Sequence, residues 1–388
     1  MNTETSKDLF LAILSMDSYN RGYGEGIAGL GGVGSFVGSA QITQQSGVAE
    51  NDPERAAGFY ALAYDIGAGG PDGLAGTTVI SYRGTDEGLS ELTGDDLDII
   101  NGNYNVDQQI LAKQFFDQVS ATGSVGALTG HSLGGSLGGF VAALTQTTDA
   151  HFLDPIGYGS SLENLGADFV RIGSYLGIAS VNEAFSQYSL ANEDNPNALT
   201  EGEFVSAWSV MTALGLDPDD PLSEFELRQF VRDTNGITAT KLDPTVVDFF
   251  RYRSDLDPVP TALLADIFPN FGDVGVDIIR AHDTGLLVVL QYAEEDLRQQ
   301  ENGLAFQLVA KDLFEAFFDR NVAEAAGFKK VDGGRFQAEA IMGQALAYSA
   351  LDGSEGLVFG NTGIRALFDD AFRDRTQSFQ EYPERLAA

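Results

Sequence analysis

The chain has 388 residues, which is enough for one large domain with insertions or for two domains, with a sizeable core. Its 57 acidic residues outnumber its 22 basic ones and give a formal net charge of -35 at pH 7. Such a charge repels nucleic acids and anionic membrane surfaces, so neither is an expected partner. Cysteine is absent, which excludes disulfides, cysteine nucleophiles and thiolate metal sites.

The sequence contains no apolar run of about 18 residues, so no transmembrane helix is expected. The apolar stretch from Phe10 to Leu14 is too short for the core of an ordinary signal peptide. The charged residues Lys7 and Asp8 interrupt the segment that leads into it. The acidity and the lack of cysteine slightly favour export without a cleaved signal over a cytoplasmic location. Any contact with a lipid interface would then be transient.

Acidic clusters such as residues 217–220 could attract calcium, but the chain has no loop of Asp, Asn and Gly ligands of the EF-hand type. These clusters are interpreted as solvated loops. We therefore expect no metal and no other cofactor, with a structural calcium ion as the open alternative.

The N-terminal part of the chain predicts a helix followed by a glycine-rich segment. Residues 4–17 place apolar side chains at helical spacing, which predicts an amphipathic helix. Residues 22–38 contain eight glycines and satisfy G-x-G-x-x-G twice, but no clear strand precedes them and no βαβ unit surrounds them. A loop or hairpin is therefore expected there, and not a dinucleotide site.

The next part of the chain alternates between strand and helix patterns. Residues 57–66 and 77–83 predict neighbouring strands, residues 105–120 a helix, residues 123–147 a strand, a turn and a helix, and residues 151–154 a further strand. Alternating strands and helices indicate an α/β fold with a mostly parallel central sheet.

A long connection follows this part. Residues 160–245 form an insertion with helical segments at 169–178, 202–214 and 222–231, and residues 245–253 return to a strand pattern. The insertion is either a cap over a pocket or an excursion that packs on the sheet. We expect one α/β domain over residues 1–300 and a helical C-terminal extension over residues 301–388, packed on or beside it.

The strand, turn and helix at 123–147 contain the strongest chemical signal. Gly130, Ser132 and Gly134 form G-x-S-x-G between a short apolar strand and a helix, which is the context of a nucleophile elbow. In such a turn the serine has a strained backbone, and side chains at 130 and 134 would collide with the neighbouring strand and helix. Ser132 is therefore the candidate nucleophile.

A serine hydroxyl needs an adjacent base, and the chain has only three histidines. His131 lies inside the elbow and is expected to pack away from the hydroxyl. His151 precedes every plausible acid and is expected to be a strand or core residue. His282 comes late in the chain, and the order Ser, Asp, His is that of the α/β-hydrolase fold.

The acid and the oxyanion donors complete the candidate site. Asp257 follows the strand at 245–253, and Asp154 follows the strand after the elbow helix, so the residues alone leave both open, with Asp257 preferred. The backbone N–H of Leu133 is one expected oxyanion donor. Thr85, after the strand at 77–83, is the other, with a backbone N–H and a hydroxyl.

Four motifs in this order resemble the class 3 lipase family, the fungal-lipase-like triacylglycerol lipases. They are Ser-Tyr-Arg-Gly-Thr-Asp at 81–86, Gly-His-Ser-Leu-Gly-Gly at 130–135, Asp-Pro-Val-Pro at 257–260 and Ala-His at 281–282. The resemblance covers roughly residues 55 to 290 and implies an α/β-hydrolase fold. It departs from the family in the length of the connection between Pro155 and Asp257, and no motif covers the tail.

The resemblance also implies the roles of the site residues. It assigns the nucleophile to Ser132, the acid to Asp257, the base to His282 and the oxyanion hole to Thr85 and Leu133. It places Asp154 after a non-catalytic strand. The expected function is that of a lipase or esterase acting on acyl glycerols or similar lipid esters through an acyl-enzyme.

Alternative functions remain open from the sequence. A phospholipase A1 would use the same triad with a different pocket, and a serine peptidase or an acyltransferase could use the same fold. A binding protein on an inactive hydrolase scaffold is the alternative outside catalysis.

Overall fold

The computed structural model describes residues 7–23, 31–84, 98–99, 102–147, 149–153, 155, 158–217 and 284. The predicted strand at 245–253, the helical segment at 222–231 and the extension at 301–388 lie outside the described residues, as does the domain boundary near 300. The predicted helices and strands before residue 217 can be compared with the structure directly.

Six strands form one sheet in the order β1-β2-β3-β4-β5-β6. The strands are β1 (Phe36–Val37), β2 (Ala40–Gln45), β3 (Ala61–Ile66), β4 (Thr78–Tyr82), β5 (Val125–His131) and β6 (Ala150–Leu153). The first four strands pair antiparallel, whereas β5 pairs parallel with both β4 and β6. The fold is thus α/β, and parallel pairing within the described sheet is confined to β4, β5 and β6.

The helices cover both faces of this sheet. They are α1 (Lys7–Ser18), α2 (Pro53–Ala56), α3 (Asp107–Ser120), α4 (Leu133–Thr145), α5 (Gly159–Ile172), α6 (Val181–Ala191) and α7 (Glu201–Ala213), with a short 3-10 turn at Gly173–Tyr175. The predictions at 4–17, 105–120 and 123–147 are confirmed as elements. The predicted loop or hairpin at 22–38 contains β1 and the beginning of its turn to β2, whereas β2 itself was not predicted and residues 24–30 lie outside the described residues.

Alternating side chains of β4 and β5 divide the sheet into two faces. Ser81 and Thr129 donate hydrogen bonds to the carbonyls of Leu14 and Leu11 in α1, at 3.1 and 2.9 Å. Their neighbours Tyr82 and Leu128 belong instead to the core formed with α3 and α4. Helix α1 therefore lies on one face, and α3 and α4 lie on the other.

Helix α1 differs from the expected amphipathic helix because every residue from Leu9 to Ser18 is buried. Two of its buried polar side chains, Asp17 and Ser18, have hydrogen-bond partners within the protein. The hydroxyl of Ser18, for example, donates to the carbonyl of Ser15 at 2.7 Å. A sequence period shows which positions are apolar, but it cannot show that the polar positions are also covered.

The helices after β6 form the first half of the long insertion. Helices α5 and α7 contain the predicted helical segments at 169–178 and 202–214 in part, whereas α6 was not predicted. An aromatic cluster of Tyr175, Tyr188 and Phe204 joins α7 to α6 and to the 3-10 turn. The side chains of Thr200 and Glu203 form a capping box at the start of α7.

In the described part of the chain, no helix is long and apolar enough to cross a membrane.

A buried ion pair closes the end of α1. Arg21 Nε donates to Asp17 Oδ2 at 2.5 Å, and both side chains are fully buried. Tyr64 of β3 donates to the same carboxylate oxygen at 2.8 Å, and Arg21 Nη1 donates to the carbonyl of Gly31 at 2.8 Å. The pair thus connects α1 to β3 and to the segment before β1.

We predict that Asp17→Asn lowers the free energy of unfolding by about 3–5 kcal/mol, because it leaves the buried Arg21 charge without its counter-ion. Denaturant unfolding measures this loss. The control is Asp117→Asn, which breaks the more exposed pair of Asp117 with Lys113 and should cost less than about 1 kcal/mol. Equal losses of unfolding free energy in the two variants would contradict the prediction that the buried pair stabilises the fold more than the exposed pair.

Candidate active site

The carboxyl ends of the parallel strands meet at one edge of the sheet. Tyr82, the last residue of β4, pairs with Gly130 of β5, and His131 pairs with Leu153, the last residue of β6. The backbone N–H of Ser132 donates to the carbonyl of Leu153 at 3.0 Å. Ser132 therefore lies where open α/β sheets commonly bind their ligands.

Ser132 has the strained backbone that the sequence predicts. Its dihedral angles are φ 56° and ψ -126°, and within the described ranges Gln146 is the other residue besides glycine with a positive φ. Such a conformation costs about 1–3 kcal/mol and persists only when its surroundings determine it. Ser132 directly precedes helix α4, and its carbonyl accepts a hydrogen bond from the Ser136 N–H at 3.1 Å.

The glycines two positions on either side of Ser132 are required by close approach. A Cβ at Gly130 would lie 2.5 Å from the carbonyl oxygen of Gly134, and a Cβ at Gly134 would lie 2.7 Å from the carbonyl carbon of Arg83. Both obstacles are backbone atoms, which cannot rotate away. The predicted collisions with the neighbouring strand and helix are therefore confirmed.

The N-terminus of α4 begins directly after Ser132. Leu133 is its first residue, and the first N–H groups of a helix have no partner within the helix. They carry the positive end of the helix dipole. The Leu133 N–H is thus placed on the residue after Ser132, where a negative charge on a reacting carbonyl oxygen would require a donor.

The end of β4 lies against the same serine. A Cβ at Gly84 would be 3.2 Å from the Ser132 Cβ and 2.7 Å from the carbonyl oxygen of His131. Thr85, the predicted oxyanion residue, follows Gly84 in the sequence and lies outside the described residues. The structure thus brings the residue before Thr85 into contact distance of the candidate nucleophile.

His131 is buried and is held at one ring nitrogen. Its Nδ1 lies 2.9 Å from the hydroxyl of Tyr19 and 2.8 Å from that of Thr284. This environment agrees with the packing role that the sequence predicts for His131. Neither Tyr19 nor Thr284 was predicted as part of the site, because contacts across 112 and 153 residues leave no local signal in the sequence.

His151 is a buried residue of β6, as expected. Its Nδ1 lies 3.8 Å from Asp8 Oδ1 in α1. The remaining candidates Asp154, Asp257 and His282 lie outside the described residues. The proposed acid and base therefore stay predictions, whereas Ser132 and Leu133 have described positions.

Arg83 anchors the chain where it leaves β4. Its guanidinium carbon lies 4.4 Å from the ring centroids of both Tyr23 and Tyr60, and its Nη1 donates to the carbonyl of Tyr23 at 2.7 Å. Burial raises the pKa of the Tyr60 phenol, and the nearby Arg83 charge opposes this rise. The arginine of the Arg-Gly-Thr motif thus holds the end of β4 between two aromatic rings.

Metal binding has no support in the described part of the site. Among the described residues, no three His, Cys, Asp or Glu side chains lie close enough together to hold a metal ion.

The family model described as Mbeg1-like matches residues 40–151 of the chain. The matched region runs from the beginning of β2 into β6 and includes the turn at Ser132. Neither curated proteins nor solved structures gave a significant match.

The strain at Ser132 generates a stability prediction. Ser132→Gly should be more stable than Ser132→Ala by about 1 kcal/mol, because glycine adopts a positive φ without a Cβ clash. Thermal and denaturant unfolding measure this difference. The matched control is Ser136 in the first turns of α4, which is also buried, where the glycine variant should be less stable than the alanine variant by about 1 kcal/mol. The same order of stability at both positions would contradict strain at Ser132.

Proposed function

We propose that the protein is a serine carboxylic-ester hydrolase of the α/β-hydrolase fold, a lipase or esterase that acts on acyl glycerols or similar lipid esters. The observation that carries the proposal is the strained Ser132 between a parallel strand and the first residue of a helix. A chain that maintains such a turn presents the serine hydroxyl at the sheet edge, as a nucleophile requires.

In the proposed reaction, Ser132 Oγ attacks the ester carbonyl carbon and its proton passes to His282. The tetrahedral intermediate then collapses, and the leaving alkoxide takes the proton from His282. Water hydrolyses the acyl-enzyme by the same steps. Asp257 orients the imidazole and stabilises its charged form, while Leu133 and Thr85 donate to the oxyanion.

Two contacts support these roles. Thr284 follows His282 by two residues in the sequence, and its hydroxyl lies 2.8 Å from Nδ1 of His131 in the elbow. Gly84, which precedes Thr85, approaches Ser132 within contact distance. Both contacts agree with the order of motifs that resembles the class 3 lipase family.

The net charge favours a neutral ester over an anionic lipid surface. A chain with a formal charge of -35 is repelled by anionic phospholipid headgroups. Acyl glycerols are therefore preferred over anionic phospholipids as substrates, and a phospholipase A1 with the same triad remains the second candidate. A hydrolase-fold binding protein without catalysis is the alternative that the following experiment excludes or establishes.

We predict Ser132-dependent hydrolysis of a p-nitrophenyl ester series from acetate to palmitate. Ser132→Ala should lower kcat by about a millionfold, because the members of a triad act as a unit. A fluorophosphonate probe should label the native enzyme at Ser132 and leave the variant unlabelled. An optimum at long chains indicates a lipase, and an optimum at acetate or butyrate indicates a small-pocket esterase. No labelling and no turnover of any ester would refute the proposal.

We predict that Asp257→Asn lowers kcat by about 10⁴-fold, because the acid holds the base in the tautomer that can accept the serine proton. Asp154→Asn is the matched variant and should retain a rate near that of the native enzyme. The comparison uses the best ester of the series above. A large loss in Asp154→Asn with a near-native rate in Asp257→Asn would assign the acid to Asp154.

A further inference from the structure

We propose that the hydroxyl of Tyr19 is a positioning group for the active site. It holds the turn at Ser132 at a fixed distance from the end of β4, which leads into the proposed oxyanion residue Thr85. The inference rests on the proposed function and adds a residue that lies outside its four motifs. Tyr19 follows α1 directly and is almost fully buried, at 4% exposure. The observation that carries the inference is the set of partners around this single hydroxyl.

Among the described residues, three polar atoms lie around Tyr19 Oη. The hydroxyl accepts a hydrogen bond from the Gly84 N–H at 3.0 Å and donates to the His131 carbonyl at 3.1 Å. It also lies 2.9 Å from His131 Nδ1. These partners belong to the ends of β4 and β5, so one side chain directly after α1 bridges the two strands at the candidate site.

The position of the single phenol proton decides the His131 tautomer. A tyrosine hydroxyl has one proton to donate and two positions at which to accept. In the proposed arrangement this proton goes to the His131 carbonyl, so that Oη accepts from both Gly84 N–H and His131 Nδ1–H. This arrangement requires the Nδ1–H tautomer of His131, with Thr284 Oγ1 at 2.8 Å accepting from the same nitrogen.

The His131 carbonyl and the Ser132 N–H belong to the same peptide group. Tyr19 holds the carbonyl side of this group, and the Leu153 carbonyl of β6 holds the N–H side at 3.0 Å. The peptide that precedes the strained φ of Ser132 is thus fixed from two directions. This is the kind of surrounding that a strained residue needs in order to persist.

The bond to Gly84 has a second consequence. Gly84 precedes Thr85, the proposed oxyanion donor, and its N–H is the last backbone donor described before Thr85. Tyr19 therefore sets the distance between the segment that enters the oxyanion loop and the serine that attacks. A misplacement of about 1 Å in such a site can cost about 10²-fold in rate.

The test compares Tyr19→Phe with Tyr64→Phe. Each substitution removes one buried hydroxyl between the α1 region and the sheet and keeps the ring. The Tyr64 hydroxyl donates to Asp17, away from the strand ends. We expect Tyr19→Phe to lower kcat for p-nitrophenyl butyrate by about 30- to 100-fold with KM changed less than about twofold. Tyr64→Phe should keep kcat within about twofold of the native value, even if its melting temperature falls as much as that of Tyr19→Phe.

Near-native kcat in Tyr19→Phe, with Ser132→Ala inactive, would overturn the inference and leave the proposed function intact. Equal losses of kcat in Tyr19→Phe and Tyr64→Phe would also overturn it, because the effect would then belong to the docking of α1 in general.

A separate measurement on the native protein requires neither turnover nor a folded variant. Nitrogen-15 NMR of the native protein should show His131 as the Nδ1–H tautomer, and amide exchange should show a protected Gly84 N–H. An Nε2–H tautomer or rapid exchange at Gly84 would refute the hydrogen-bond arrangement itself. If these two signals are as expected and no Ser132-dependent turnover exists, the proposed function fails and Tyr19 has no catalytic role.

Discussion

The peptide group between His131 and Ser132 is the constraint on which the rest of the described site depends. Ser132 adopts φ 56°, a strained value for an L-residue that persists only when surrounding contacts impose it. Here the contacts come from three neighbouring parts of the chain. β6 binds the N–H of this peptide, Tyr19 after α1 binds its carbonyl, and α4 begins at the next residue. Without these neighbours, the turn between β5 and α4 would relax to an unstrained backbone conformation.

The close packing of this region follows from the same constraint. For α4 to begin directly after β5, its first turn must approach both β5 and the end of β4. Gly130 and Gly134 allow this approach because backbone atoms occupy the space of any side chain at these positions. Further along α4, a Cβ at Gly139 would collide with the ring of Tyr158, so the helix also lies close against the chain that begins α5. The glycines thus bring the helix N-terminus to the serine, where its N–H groups can stabilise a negative charge.

Helix α1 has a larger role than its place at the start of the chain suggests. It covers the face of the sheet opposite α3 and α4, and hydroxyls of β4 and β5 donate to its carbonyls. The buried pair of Asp17 and Arg21 fixes its end, and Tyr19 between them reaches the strand ends. Structural anchoring and the proposed positioning of the site are therefore combined in the same short segment. Variation in this segment should influence the site without touching any of the motifs.

The sequence by itself determined most of the longer elements and the turn at Ser132, because these depend on local properties. Strands and helices follow from the spacing of apolar residues, and the elbow follows from G-x-S-x-G between a strand and a helix. The buried polar face of α1 and the helix α6 were missed, since burial on all sides depends on what packs against a segment.

Only the tertiary structure decided the contacts between distant residues. Tyr19, His131 and Thr284 meet although more than 100 residues separate each successive pair in the sequence, and no composition or period encodes such a meeting. The antiparallel pairing of the first four strands also depends on the path of the chain through space. Local sequence can specify a strained turn, but only long-range packing can supply the free energy that maintains it.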